Sequence, residues 1–219
     1  MRTLSVKLLL PVSIGLVVGG VACGSKGTTD PADGQPPPLT ITAPATSIKS
    51  GSTLQATVTT STGGPVTAPM WRSSDDNVAS VTSDGLITGK KAGNALITAQ
   101  SGASYGSYSV HVVPGDAVGL LIYAGNGQIG AVNSALRDPL CTNVVDAAGN
   151  YIVGEHVTYT VATGGGSMQP PATVVTDDRG IATSGLWLLG PSTGEQTVTA
   201  TAKAASGETM TVTFKATAQ

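Results

Sequence analysis

The sequence predicts an all-β protein: two tandem antiparallel β-sandwiches behind a signal peptide and a disordered linker. Three observations carry this. Thr (30) and Gly (29) lead, with Val (23) close behind in 219 residues, and β-branched side chains suit a half-buried pleated surface. Apolar and polar residues alternate in short runs, the signature of strands wet on one face. Gly, Asn, Asp and Pro clusters separate those runs, as turns between strands require. The 40% hydrophobic content and net charge of -2 exclude disorder over most of the length. No stretch past residue 23 keeps a helical period over three turns, which excludes a bundle or coiled coil. With 11 Lys+Arg against 13 Asp+Glu, no basic excess exists to hold nucleic acid.

The N-terminus reads as a targeting segment, residues 1–22. Arg2 and Lys7 form a positive region, and Leu8 to Ala22 is uncharged and mostly apolar. As a helix it would reach only ~22 Å at ~1.5 Å per residue, short of the ~30 Å hydrocarbon core. A short apolar stretch ending in small residues is a secretory signal. Its end, Gly20-Val21-Ala22-Cys23-Gly24-Ser25, resembles a bacterial lipobox, with Gly20 where Leu is usual. That resemblance implies lipidation at Cys23 and a membrane anchor in the outer membrane or cell surface of a bacterium. More than one acyl chain anchors stably, whereas a single chain binds marginally. Residues 23–38 follow as a linker with Pro31, Pro36, Pro37 and Pro38. Gly24 to Pro38, extended at ~3.1 Å per residue, would span ~46 Å from the lipid surface. Loss of Arg2 and Lys7 leaves nine basic against 13 acidic residues, a charge of about -4 that favours solubility. Lipidation of Cys23 leaves Cys141 alone, without an intramolecular disulfide, and the reading for Cys141 is a buried, inert thiol.

Each strand has its own alternation. Leu54, Ala56 and Val58 oppose Thr53, Gln55, Thr57 and Thr59. Val157, Tyr159 and Val161 oppose His156, Thr158 and Thr160. Val198, Ala200 and Ala202 oppose Thr197, Thr199 and Thr201, and Met210, Val212 and Phe214 oppose Thr209, Thr211 and Thr213. Turns are expected at Gly63-Gly64-Pro65, Ser83-Asp84-Gly85, Ala92-Gly93-Asn94, Ala148-Gly149-Asn150, Asp178-Arg179-Gly180 and Ser206-Gly207-Glu208. Gly85 and Gly149 stand where a tight turn favours positive φ. A break at Val113-Pro114-Gly115-Asp116 divides the chain into modules at 39–113 and 115–219. Each is long enough for one core, the smaller being modestly stable.

Within the first module, Trp71 through Val81, then Asp84-Gly85-Leu86-Ile87-Thr88-Gly89 and Ala92-Gly93-Asn94-Ala95-Leu96-Ile97-Thr98-Ala99, resemble the group 2 bacterial Ig-like domain. Residues 117–219 are similar to the group 1 bacterial Ig-like domain, the intimin/invasin type. The matching residues are Val145 to Gly154, Val157-Thr158-Tyr159, Gly164 to Ser167, Thr176 to Thr183, Gly194 to Ala200 and Val212-Thr213-Phe214. The resemblance implies a Greek-key Ig-like sandwich for each module, with an irregular strand at Asp138 to Asn143. The expected core is Trp71, Val78, Val81, Leu86, Ile87, Leu96 and Ile97 in the first module, and Val157, Tyr159 and Phe214 in the second. Trp71 is expected on a central strand, plugging the space between sheets.

Three patterns suggest chemistry. Gly125-Asn126-Gly127-Gln128-Ile129-Gly130 fits G-x-G-x-x-G, but phosphate binding needs a helix opening there, and strand-like residues follow. Gly190-Pro191-Ser192-Thr193-Gly194 fits G-x-S-x-G, yet no His follows His156 to complete a triad. Asp75, Asp76, Asp84, Asp146, Asp177 and Asp178 could approach Ca²⁺, but no converging D-x-D-x-D-G loop exists and each sits where its side chain bonds turn amides. His111 and His156 lack metal-ligand spacing and should face solvent. No catalytic residue, metal ligand or cofactor is assigned.

The expected function is therefore a non-catalytic envelope or cell-surface lipoprotein. Its modules would act as a spacer and as an interaction or adhesion surface for an unknown protein or glycan. The alternative is an accessory module that binds glycan, small ligand or calcium. Its aromatic platforms would come from Tyr105, Tyr108, Tyr123, Tyr151 and Trp187.

Overall fold

The computed structural model describes residues 36–219. The signal segment, Cys23 and the linker to residue 35 lie outside the described residues. Pro36, Pro37 and Pro38 lead into the first strand, exposed and outside any ladder.

Nine strands build the first sandwich: β1 (Leu39–Thr42), β2 (Ser47–Lys49), β3 (Thr53–Gln55), β4 (Thr57–Thr60), β5 (Met70–Ser73), β6 (Ala79–Val81), β7 (Leu86–Gly89), β8 (Gly93–Ser101) and β9 (Ser104–Val113). One layer is β2-β9-β8-β5; the other consists of the ladders β1-β4 and β3-β7-β6. The run Leu54/Ala56/Val58 is one inward face, but the chain breaks at Ala56 and changes partner from β7 to β1. The Ala56 N–H turns to the Gly85 carbonyl (2.9 Å). Ile41, Leu54 and Ile87 of one layer meet Ile48, Ile97, Val110 and Val112 of the other. A run of two adjacent apolar residues on a strand can send only one inward. Ile87 and Ile97 are fully buried, whereas Leu86 is half-buried and Leu96 exposed.

Ten strands follow: β10 (Gly119–Ala124), β11 (Gln128–Gly130), β12 (Cys141–Val145), β13 (His156–Thr163), β14 (Ser167–Met168), β15 (Thr173–Val175), β16 (Ile181–Thr183), β17 (Trp187–Leu188), β18 (Gly194–Lys203) and β19 (Thr209–Ala218). They form β10-β12-β16, β11-β19-β18-β13-β15 and the small ladder β14-β17. The chain crosses between layers at β10 to β11, β11 to β12, β12 to β13, β15 to β16 and β16 to β18, a Greek-key path. Val157, Tyr159, Val198, Ala200 and Phe214 fill the core from one sheet, and Leu120, Val144 and Ala182 from the other. Threonines form the wet face of β13, β18 and β19, with Thr158, Thr201 and Thr211 in one cross-strand row.

The architecture is thus two tandem Ig-like β-sandwiches, and among the described residues there is no helix. Two ladders depart from the antiparallel expectation: β2 runs parallel to β9 and β11 parallel to β19. In both cases the first edge segment switches sheets to join the last strand. Ala92-Gly93-Asn94 is not a turn, because β8 already begins at Gly93. Gly85 and Gly149 do have positive φ, 85° and 76°. β12 is regular from Cys141 onward; the irregularity lies opposite it, in a bulge between Ile122 and Ala124.

Candidate functional site

A dense polar construction lies where β9 passes into β10. β9 ends at Val113, whose carbonyl accepts the Ser50 N–H (2.9 Å). The next residues meet the turn Asp146 to Asn150 after β12. Asp146 is 3% exposed and Asn150 6%. Asp146 Oδ2 accepts the Gly115 N–H (2.7 Å) and the Asn150 Nδ2 (2.7 Å). Its Oδ1 accepts the N–H groups of Ala148 (2.9 Å) and Asn150 (2.8 Å). Asn150 in turn reaches back across the junction: its Oδ1 accepts the Ala92 N–H before β8 (3.0 Å). Lys49 and Asp116 add an exposed ion pair at 2.5 Å, of the kind worth at most about 1 kcal/mol.

A buried carboxylate is tolerable only when hydrogen-bonded, and this one has donors on both oxygens. Burial alone pushes its pKa up. The Asn150 side chain, the Gly115 and Asn150 amides and the Ser50 side chain outweigh burial and hold Asp146 at about 2. Asp146 is therefore ionised at neutral pH. It joins three pieces: the connecting segment, its own turn and, through Asn150, the loop before β8. A cleft of about 430 Å³ adjoins it, lined by Ser50, Gly51, Gly89, Lys90, Gly115 and Ala148 among others. Both oxygens of Asp146 are already engaged there, so its role is to hold backbone.

Asp75, Asp84 and Asp177 serve their own turns. Asp75 accepts the Asn77 N–H (2.9 Å). Asp177 accepts those of Arg179 (2.9 Å) and Ile181 (2.8 Å), and the Ile181 amide leads in lowering its pKa. The Thr82 hydroxyl donates to Asp84 and lowers its pKa. Among the described residues no three His, Cys, Asp or Glu side chains converge as metal ligands. His111 and His156 are exposed, and His111 Nδ1 lies 2.8 Å from Asn94 Oδ1.

The two glycine motifs have structural explanations. Residues 125–130 form a turn entering β11, with φ of 87° at Gly125 and 76° at Gly127. No helix opens at Gly130; the next described residues are turns and a bridge. At residues 190–194 a strand, β18, follows the motif. Gly190 is buried against the backbone of Gly164, where an added Cβ would collide with the Gly164 carbonyl. The loop is pinned by fully buried Gln196, which accepts the Gly190 N–H (2.8 Å) and donates to the Ser192 carbonyl (2.7 Å). Sequence reading missed Gln196: it stands in phase with inward Val198, Ala200 and Ala202, but its polar side chain interrupts the apolar alternation.

The expected core residues are placed as follows. Ile97, Val157, Tyr159 and Phe214 are buried. Tyr159 and Phe214 rings lie 6.1 Å apart at 46°. The Tyr159 hydroxyl donates to the Ala182 carbonyl (2.8 Å) and meets Thr142 Oγ1 at 2.9 Å; burial leads in pushing its pKa up to about 12. Val78 and Val81 are half-buried at the rim of the first core, and Leu86 is half-buried outside it. Trp71 departs from expectation: it sits on edge strand β5, half-buried, its ring against Gly85. Trp187 is the fully buried tryptophan, on the two-residue β17, and so offers no platform. Tyr105, Tyr123 and Tyr151 are exposed. Cys141 is half-buried rather than buried, because its neighbour Thr142 takes the inward position; its Sγ lies 3.6 Å from Thr183 Oγ1.

Residues 37–112 match the family model described as Bacterial Ig-like domain (group 2). No curated protein matches the chain in sequence. Among solved structures, domains 4 and 5 of the S-layer protein SbsC show 16% identity and a TM-score of 0.36, covering 82% of this chain and 96% of that one. The Yersinia pseudotuberculosis adhesin InvE shows 17% identity and a TM-score of 0.34, covering 81% of this chain; this chain spans 58% of the adhesin structure. A tandem of titin Ig domains shows 11% identity and a TM-score of 0.42, covering 84% and 97%.

Proposed function

We propose that this chain is a non-catalytic envelope or cell-surface lipoprotein, lipidated at Cys23, whose two Ig-like modules form a stiff spacer. The modules run over 39–113 and 115–219, the second of the group 1, intimin/invasin type. The observation that carries this reading is the junction. A spacer must hold its modules at a fixed angle, and a flexible linker would not. Here the Gly115 N–H is bound by a buried carboxylate, and Asn150 of the second module binds Ala92 of the first. The group 2 match over 37–112 supports an extracellular setting. A greasy N-terminus and a proline-rich tether would hold the spacer off the lipid.

The accessory reading loses support from two placements. Trp187 is enclosed in the core, and the buried Asp146 carboxylate spends its lone pairs on amides. The anchor is tested by fractionating cells that express wild type or Cys23→Ala. The variant is expected to leave the membrane fraction for the soluble one; an unchanged distribution refutes the anchor.

A further inference from the structure

We infer that β10 is a self-association seam, by which this chain pairs weakly with a second copy of itself. Among the described residues β10 is an edge of the sheet β10-β12-β16. Leu120 points into the core, while Leu121, Ile122 and Tyr123 are 51%, 37% and 57% exposed. Exposed edges are ordinarily guarded by charge or Pro. This one has neither: from Ala117 to Leu136 there is no charged residue. The Tyr123 bulge lies at the far end of the strand, leaving Gly119 to Ile122 in regular register with β12.

The first module supplies an internal comparison. Its own first strand, β1, buries Leu39 and Ile41 and turns Thr40 and Thr42 outward. The same place in the second module turns Leu121 outward. Solubility favours threonine at such a site, so the apolar choice at β10 has another use.

The occupant is a second copy, for two reasons. Antiparallel pairing of one strand with itself is two-fold symmetric, so an uncharged apolar edge necessarily meets its match, with no like charges opposed. The area also fits. Leu121, Ile122 and Tyr123 together expose on the order of 300 Å² per copy, so a pair buries about 600 Å², a transient contact rather than a permanent dimer. Antiparallel pairing of β10 with the β10 of a second copy uses up that edge in both, so this contact closes at two.

The test is disulfide trapping in intact cells that express the full chain. Leu121→Cys is expected to give an oxidised product of twice the chain mass, at least ten-fold above wild type, which retains Cys141, and above Thr40→Cys, the matching position of the first module. A yield no higher than that of Thr40→Cys, or a product of any other mass, overturns the pairing. Adding Tyr123→Lys to Leu121→Cys is expected to cut the product about ten-fold; an undiminished yield also overturns it. Tyr123→Thr, which keeps strand propensity without charge, is expected to give an intermediate loss and shows that the lysine effect is not unfolding. The readout does not depend on lipidation at Cys23.

Discussion

Replacing Asp146 with Asn removes the junction's buried charge while keeping the side chain's size. The four donors that now converge on the carboxylate would then face an amide with one acceptor end. Loss of charge-assisted bonds and a stranded donor should cost about 2–4 kcal/mol at pH 7. The wild-type carboxyl is held at about 2, against 3.8 for an ordinary aspartate. That difference corresponds to about 2–3 kcal/mol, since one pKa unit is worth roughly 1.4 kcal/mol. Because the folded pKa lies below the unfolded one, this contribution is fully present above about pH 5 and drains away as pH falls toward 2. Urea titrations from pH 7 to pH 2, read by fluorescence of the buried Trp187, measure it. The wild type should lose its advantage over Asp146→Asn across pH 4 to 2. An advantage that stays constant over that range would refute the assigned role.

Other expectations are simpler. Trp187→Ala should cost about 3–5 kcal/mol and Trp71→Ala about half as much, since Trp71 is half-buried at an edge; denaturant midpoints check the order. Tyr159→Phe should cost about 1–2 kcal/mol by stranding the Ala182 carbonyl and Thr142 in the core, again read by denaturation. Gly190→Ala should destabilise the second module by more than about 2 kcal/mol, because the added Cβ meets Gly164 backbone. A melt indistinguishable from wild type would contradict that packing.

Much of the architecture was legible because strand alternation has a period of two. Val157/Tyr159 and Val198/Ala200/Ala202 face inward as that period requires. Where two large apolar residues adjoin, as at Leu86-Ile87 and Leu96-Ile97, period alone does not name the inward one; register against β3, β6 and β9 does. The tryptophans exchanged roles for a similar reason. Trp71 lies on a clear strand, but nothing local says that the strand is an edge. Trp187 lies on a strand two residues long, too short to show a period. The junction was half legible. Asp146 and Gly149 mark a turn, and Pro114-Gly115 a break, but their meeting is a contact across 31 residues. Only the folded chain brings a turn amide, a connecting amide and one carboxylate together.

The spacer account is tested most directly by backbone ¹⁵N relaxation on residues 36–219 in solution. A stiff junction predicts one rotational correlation time shared by residues 39–113 and 115–219, and a split into two shorter times in Asp146→Ala. Two separate short times in the wild type would contradict the account.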